Sequence, residues 1–271
     1  MKTFYLHAPD PESSLEETLA GIDELYRAGK FENFGLSNFS VAEMKEVLLI
    51  AEKNNYILPT VYQGNYNAVA RKAETEIFPF LREHGISFWA YSPIAGGFLT
   101  KTRNQLTKGQ GGGGRWHKET QLGQLYHYLY NRPTLLEALD MWNEISESSN
   151  IPKAELAYRW TMFHSLLNRD SGDAIILRAS SLAQLKQTVA AVRNGPLPDA
   201  VVKRIADLWG IVESESPMDN SDLLRAKQLL ALVGPVRENR IVLLKRAGCI
   251  ILVLVECFLS RVILILMKCA L

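Results

Sequence analysis

Five groups of polar residues stand directly behind short, β-prone apolar runs, and they are the positions where this chain could do chemistry. They are His7 after Thr3-Phe4-Tyr5-Leu6, Ser37-Asn38 after Phe34-Gly35-Leu36, and Gln63 after Thr60-Val61-Tyr62. Tyr91-Ser92 follows Ser87-Phe88-Trp89-Ala90, and Arg178 with Ser180-Ser181 follows Ala174-Ile175-Ile176-Leu177. His7 has the chemistry of a hydrogen-bond donor to a carbonyl or of a general acid, and equally that of a capped core histidine. Ser37, Asn38 and Gln63 suit an amide, which needs a donor and an acceptor together; they also suit turns. Tyr91 can stack on a planar ring or pack at a rim. Ser180-Ser181 reads as a helix N-cap. A helix N-terminus also receives phosphate, and Arg178 adds a guanidinium able to fork onto one.

Helical periodicities separate these runs and must position them. Ser13 or Ser14 caps a first helix closed by Gly29 and Lys30, with Leu15, Leu19, Ile22, Leu25 and Tyr26 on its inward face. A second helix runs from Ser40 to Asn54 with Met44, Val47, Leu48 and Ala51 inward, and a third covers Glu74 to Glu83. Further helices are expected over Pro133 to Ser148, Pro152 to Ser165, Ser181 to Arg193 and Pro198 to Glu213. Strands alternating with helices imply parallel β/α units, whose chemistry gathers at the C-terminal ends of the strands. A closed β/α barrel takes eight strands, so five make an open segment of one. An open doubly wound sheet is the other solution, but its Gly-x-Gly-x-x-Gly turn is absent after the first strand. The long stretch between Tyr91 and Pro133, with the run Gly111 to Gly114, reads as a flexible loop.

Composition narrows the classes. The 271 residues carry 30 Lys+Arg against 29 Asp+Glu, and 47% of them are hydrophobic. That is an ordinary globular composition, without the basic stripe of an electrostatic nucleic-acid binder. Only three cysteines occur, Cys249, Cys257 and Cys269, so no disulfide framework is indicated. The first residues lack the apolar core of a secretory signal, and a cytoplasmic location is expected. Residues 216–246 read as a linker and 247–271 as an apolar tail interrupted by Glu256 and Arg261. Each charge would cost about 2.5–3.5 kcal/mol at the centre of a membrane helix. The tail is therefore read either as membrane-associated or as the product of a shifted reading frame, and in both cases as not packing on the rest.

The stretches FYLHAPD (Phe4–Asp10), KFENFGLSNF (Lys30–Phe39), LPTVYQGNYN (Leu58–Asn67), FWAYSPIAGGFLT (Phe88–Thr100) and AIILRASSLAQL (Ala174–Leu185) together resemble the aldo-keto reductases, above all the aflatoxin-aldehyde reductase branch. The resemblance spans residues 3 to about 213 in order. It implies an NADP-dependent oxidoreductase that reduces an aldehyde or ketone, built on a TIM barrel. By that likeness His7 orients the substrate carbonyl, Ser37, Asn38 and Gln63 hold the nicotinamide carboxamide, and Tyr91 lies beside the nicotinamide. The loop Ser92, Pro93, Ile94, Ala95, Gly96, Gly97 and onward to Thr100 would cover the pyrophosphate. Arg115, Ser180, Ser181, Gln184, Gln187 and Thr188 would take the adenosine-phosphate end, although the family more often has Asn where Thr188 stands.

The resemblance departs at the front. The His7 strand looks like the fourth of the family's eight, so residues 1–215 read as an incomplete barrel without counterparts for the family's catalytic Asp, Tyr and Lys. Tyr5 comes too early in its strand and Tyr62 precedes Gln63, so neither is placed by motif as the proton donor. Two functional readings follow: a weakly active or inactive reductase, and a non-catalytic half-barrel that binds nucleotide or a partner, tethered by its tail. Homodimerisation is compatible with either. The structure is expected to show five parallel strands with helices outside and an unpaired edge on the His7 strand.

Overall fold

The computed structural model describes residues 1–107 and 116–219, together with the backbone of two short strands at 251–252 and 263–268. Strands β1 (Thr3–Leu6), β2 (Asn33–Ser37), β3 (Val61–Asn65), β4 (Ser87–Tyr91) and β5 (Ala174–Ala179) form a parallel sheet in sequential order. The order separates the two architectures left open by the sequence. A doubly wound sheet reverses its strand order at a switch point, which places helices on both faces. Here the order never reverses, and uniformly right-handed crossovers then carry the helices to one face, as in a barrel wall.

The alternation of side chains confirms this two-faced character. Phe4, Leu6, Phe34, Leu36, Tyr62, Phe88 and Ala90 belong to the main buried core, with helix residues such as Leu19, Met44, Val47 and Leu81. Their neighbours Tyr5, Gly35, Ser37, Gln63, Trp89 and Tyr91 therefore project to the opposite face, because side chains alternate along a strand. Gly35 is required on that face. It pairs with Tyr5, and a Cβ on it would lie 2.4 Å from the Tyr5 ring.

Helices α1 (Leu15–Arg27) and α2 (Val41–Asn54) start on serine caps. Ser14 accepts from the Glu17 amide, and Ser40 forms a reciprocal capping box with Glu43. Met44, Val47, Leu48 and Ala51 are buried as expected. On α1 the inward face is narrower than the periodicity suggests. Leu19 and Ile22 are buried, but Leu25 and Tyr26 keep about two fifths of their surface exposed. Asp23 takes the buried position instead, accepting from Arg27 and from the Ile57 amide at 2.8 Å. The helix expected from Glu74 to Glu83 is split into α3 (Ala73–Glu76) and α4 (Phe78–Glu83). Pro79 has no N–H to continue the helical ladder across the junction.

The stretch after β4 is not one long loop. A 3₁₀ segment covers Ala95–Thr100, and α5 (Arg103–Thr107) and α6 (Gln121–Tyr130) follow. Thr120 caps α6 by accepting from the Gly123 amide. The Gly111–Gly114 run lies outside the described residues. Helices α7 (Pro133–Ser149), α8 (Lys153–Phe163), α9 (Leu182–Arg193) and α10 (Asp199–Val212) fall where the periodicity puts them.

The sheet edges differ from expectation. Strand β6 (Ile251–Leu252) pairs antiparallel with β1, and β7 (Ile263–Lys268) pairs antiparallel with β5 along its whole length. The His7 strand is thus paired at its outer edge, and these parts of the tail lie on the sheet. An open sheet presents unpaired backbone donors and acceptors at its edges, which any β-prone segment can satisfy. Among the described residues no helix is long and apolar enough to cross a membrane. Most of the linker and tail lies outside the described residues.

Asp173 fixes how β4 meets β5. It is fully buried and accepts from both terminal nitrogens of Arg82, from the Phe88 amide at 2.8 Å and from the Asn168 amide at 2.8 Å. Its loss would leave the buried Phe88 amide without its acceptor and free the part-exposed Arg82 and the exposed Asn168 amide to water. Asp173→Ala is expected to destabilise the fold by about 1–3 kcal/mol, the cost of leaving a buried donor unsatisfied. Urea unfolding measures this, and a loss below about 1 kcal/mol, the scale of an exposed pair, would remove Asp173 from this role.

Candidate active site

The strand ends β1 to β4 converge on one hydrogen-bonded group. Asn38 Nδ2 donates to the His7 carbonyl at 2.8 Å and to Ser37 Oγ at 3.2 Å. Ser37 Oγ donates to the Gln63 carbonyl at 2.9 Å, and the Tyr91 hydroxyl reaches Asn38 Oδ1 at 3.4 Å. Asn38 has φ 60°, a left-handed conformation that asparagine tolerates better than most residues, and this turns the chain out of β2 at the mouth. His7, Ser37, Asn38, Gln63 and Tyr91 are therefore neighbours. Ser37 and Asn38 are buried, while His7, Gln63 and Tyr91 are half-buried.

Burial lowers the pKa of His7, so its ring is neutral at physiological pH. A neutral imidazole has one N–H to give and one nitrogen to receive, which suits contact with a carbonyl oxygen. Beneath it, Tyr5 lies against Trp89 at 6.3 Å between ring centres. The Tyr5 hydroxyl is buried beside the Gln63 side chain and has no partner in hydrogen-bond geometry among the described residues, and burial holds its pKa well above the usual phenol value. Tyr62 points the other way, donating to the Phe39 carbonyl at 2.9 Å within the core.

After β4 the chain makes the tight loop Ser92–Thr100. Ser92, Ala95, Gly96 and Gly97 all have positive φ, at 56°, 51°, 63° and 98°. Gly96 is doubly constrained, since a Cβ there would also lie 2.1 Å from the Tyr126 ring. Lys153 Nζ donates to the Lys101 carbonyl at 3.2 Å, which ties the end of the loop to the start of α8.

The second group lies at the end of β5. Ser181 is the N-cap of α9 and accepts from the Gln184 amide. The Ser180 amide and hydroxyl both donate to Gln184 Oε1, at 2.9 and 3.0 Å. Ser180, Ser181, Gln184 and Gln187 are exposed around this N-terminus. Thr188 is buried, and its hydroxyl donates to the Gln184 carbonyl at 3.1 Å, so it is turned into its own helix. Arg115 lies outside the described residues.

Asn65, Asn67, Trp116 and Tyr130, to which the sequence alone gives no role, border the Ser92 loop. Asn67 ends the YQGNYN run; its full burial, which only the fold reveals, is what obliges it to find partners. Trp116 and Tyr130 come from the stretch whose helix was not anticipated. Among the described residues no group of acidic, histidine or cysteine side chains could hold a metal.

The aldo/keto reductase family model matches residues 1–210 of this chain. The chain is 39% identical over 215 residues to oxidoreductase sirO of Leptosphaeria maculans, a match covering 79% of this chain and 64% of that protein. It is 40% identical over 219 residues to human aldo-keto reductase family 7 member A3, covering 79% and 66%. Human aflatoxin B1 aldehyde reductase member 2 is 40% identical over 219 residues, covering 79% and 61%. The chain thus spans somewhat less than two thirds of the length of these relatives.

His7, His127 and His164 all have pKa values lowered chiefly by burial. The unfolded chain therefore binds protons at these sites at a higher pH than the folded one. Stability is full above the unfolded histidine value of about 6.5 and is lost as pH falls through the lower folded values. The urea midpoint is expected to drop on going from neutral pH to about one unit below that value, and to drop less in His7→Gln. Identical pH dependence in the two proteins would show that His7 is not protected from protonation.

Proposed function

The chain belongs to the aldo/keto reductase family, and on that premise we propose that it is an NADP-dependent oxidoreductase reducing aldehydes or ketones to alcohols. The observation that carries this reading is the hydrogen-bonded joining of His7, Ser37, Asn38, Gln63 and Tyr91 at one end of the sheet. An aldehyde is the favoured substrate class, because several relatives are named as aldehyde reductases. A cytoplasmic location is proposed with it.

The residues fit a nicotinamide dinucleotide. Ser37, Asn38 and Gln63 offer hydroxyl and amide groups, as a carboxamide requires. Ser37 and Asn38 already brace each other, so these groups are held in place before a ligand arrives. The Tyr91 ring would cover one side of the nicotinamide. The loop containing Ser92, Pro93, Ile94, Ala95, Gly96 and Gly97 would lie over the pyrophosphate. Arg115, Ser180, Ser181, Gln184 and Gln187 would take the adenosine phosphate at the N-terminus of α9, where backbone amides favour an anion. Thr188 is left out of the adenine contact because it is buried with its hydroxyl turned into its own helix. The bound cofactor supplies the hydride.

His7 would donate its ring N–H to the substrate carbonyl oxygen and stabilise charge that develops there. Proton delivery is weaker. The resemblance places no counterpart here of the family's catalytic Asp, Tyr and Lys. Tyr62 is turned into the core, and Tyr5 sits two residues below His7 with its hydroxyl at Gln63. A positioned general acid contributes about 10²–10⁴ in rate. We therefore propose that these 271 residues bind NADPH but reduce aldehydes slowly. The same observation favours a second reading, a half-barrel that binds the nucleotide without turning over.

Calorimetry with NADPH, followed by NADPH oxidation with 4-nitrobenzaldehyde, tests the proposal. Binding is expected, with slow turnover that disappears in His7→Ala. Binding with no turnover above buffer would establish the second reading, and no binding at all would overturn both.

A further inference from the structure

Two side chains from outside the Ser92–Thr100 loop hold its backbone. Asn67 Nδ2 donates to the Ser92 carbonyl at 3.1 Å, and Trp116 Nε1 donates to the Gly96 carbonyl at 3.0 Å. The two carbonyls belong to residues with left-handed backbones, Ser92 at φ 56° and Gly96 at φ 63°. Ser92 and Ala95 carry side chains in that conformation, which L-residues disfavour, so local preference alone does not select this shape. Something outside the loop must over-determine it.

Both donors are themselves fixed. Asn67 is fully buried, and its Oδ1 accepts from the Val69 amide at 3.1 Å. Its amide also approaches Asn65 Oδ1 at 3.5 Å, while Asn65 Nδ2 lies 3.4 Å from the Tyr130 hydroxyl. Tyr130 is fully buried and stacks on Phe98 of the loop, with ring centres 5.3 Å apart. Trp116 stacks on Tyr126 at 5.4 Å and on Phe98 at 6.1 Å. The loop is thus gripped at two carbonyls and one ring by the turn after β3, by α6 and by the segment before it.

We infer that Asn67 and Trp116 are positioning residues of the nucleotide site. They touch neither substrate nor cofactor. They draw the Ser92 and Gly96 carbonyls away from the ligand and hold the loop in its binding shape before a dinucleotide arrives. A loop ordered in advance loses less conformational freedom on binding, and that saving appears as affinity. The inference rests on the proposed reading that this loop covers the pyrophosphate.

The test compares two ligands by calorimetry on the full chain: NADPH, and adenosine 2′-monophosphate, which has the adenosine phosphate but no pyrophosphate. Wild type is measured beside Asn67→Ala and Trp116→Phe, the second keeping an aromatic ring in the stack while removing the N–H. Each variant is expected to bind NADPH about two- to twelvefold more weakly, the scale of one net hydrogen bond. Affinity for adenosine 2′-monophosphate is expected to be unchanged, which a general loss of fold would not allow. Unchanged NADPH affinity in Trp116→Phe, or equal weakening of both ligands, would overturn the inference while leaving the proposed function intact. A wild type that binds no NADPH would overturn the proposed function first, and this inference with it.

Discussion

The buried carboxylate of Asp173 is the constraint on which the relation between the two halves of the site depends. Strands β4 and β5 share the shortest ladder in the parallel sheet, paired at Trp89 with Ala174 and at Ala90 with Ile175. So few pairings fix register weakly by themselves. Asp173 supplies the rest, because Phe88 at the second position of β4, Asn168 before β5 and Arg82 on α4 all donate to it. Its position at the start of β5 determines how far Arg178, Ser180 and Ser181 extend beyond Tyr91 and Ser92. A dinucleotide bridging the two groups would sense any slip.

Above that anchor, the division of the sheet into two faces explains why the mouth is polar. One face is committed to helices through Phe4, Leu6, Phe34, Leu36, Phe88 and Ala90. The other carries Tyr5, Gly35, Gln63 and Trp89, and ends in His7, Ser37, Asn38 and Tyr91. Polar groups there are braced by each other, as Ser37 is by Asn38 and by the Gln63 carbonyl, so they keep their geometry without a ligand. The apolar face gives the strands their rigidity, and the braced polar ends give that rigidity a use.

Much of this was legible in the sequence. Strand β4 falls where Ser87–Tyr91 was expected, and the serine caps at Ser40 and Ser181 mark helix starts. These features are local: an alternating run or a capping residue carries its own physical signal. What was hidden depends on distant partners. Leu25 and Tyr26 have the spacing of a buried face, yet Asp23 is buried instead because the Ile57 amide needs an acceptor. Helix α6 stands behind a glycine run, and local composition alone does not separate the two. The grip of Asn67 and Trp116 on the Ser92 loop joins residues 25 and 20 positions apart, beyond the reach of any periodicity. The pairing of β6 and β7 with the sheet edges is likewise a long-range contact that the apolar run alone does not specify.

In the proposed function the ends of β1 to β5 would form one groove for a nicotinamide dinucleotide. A crystal structure of the chain with NADP⁺ at saturating concentration tests it most directly. The carboxamide is expected on Ser37, Asn38 and Gln63 beside Tyr91, with the adenosine phosphate at Ser180, Ser181 and Gln184 and the Ser92–Thr100 loop between them. A nicotinamide ring bound away from the β2 and β3 ends, or a site empty at saturation, would contradict it.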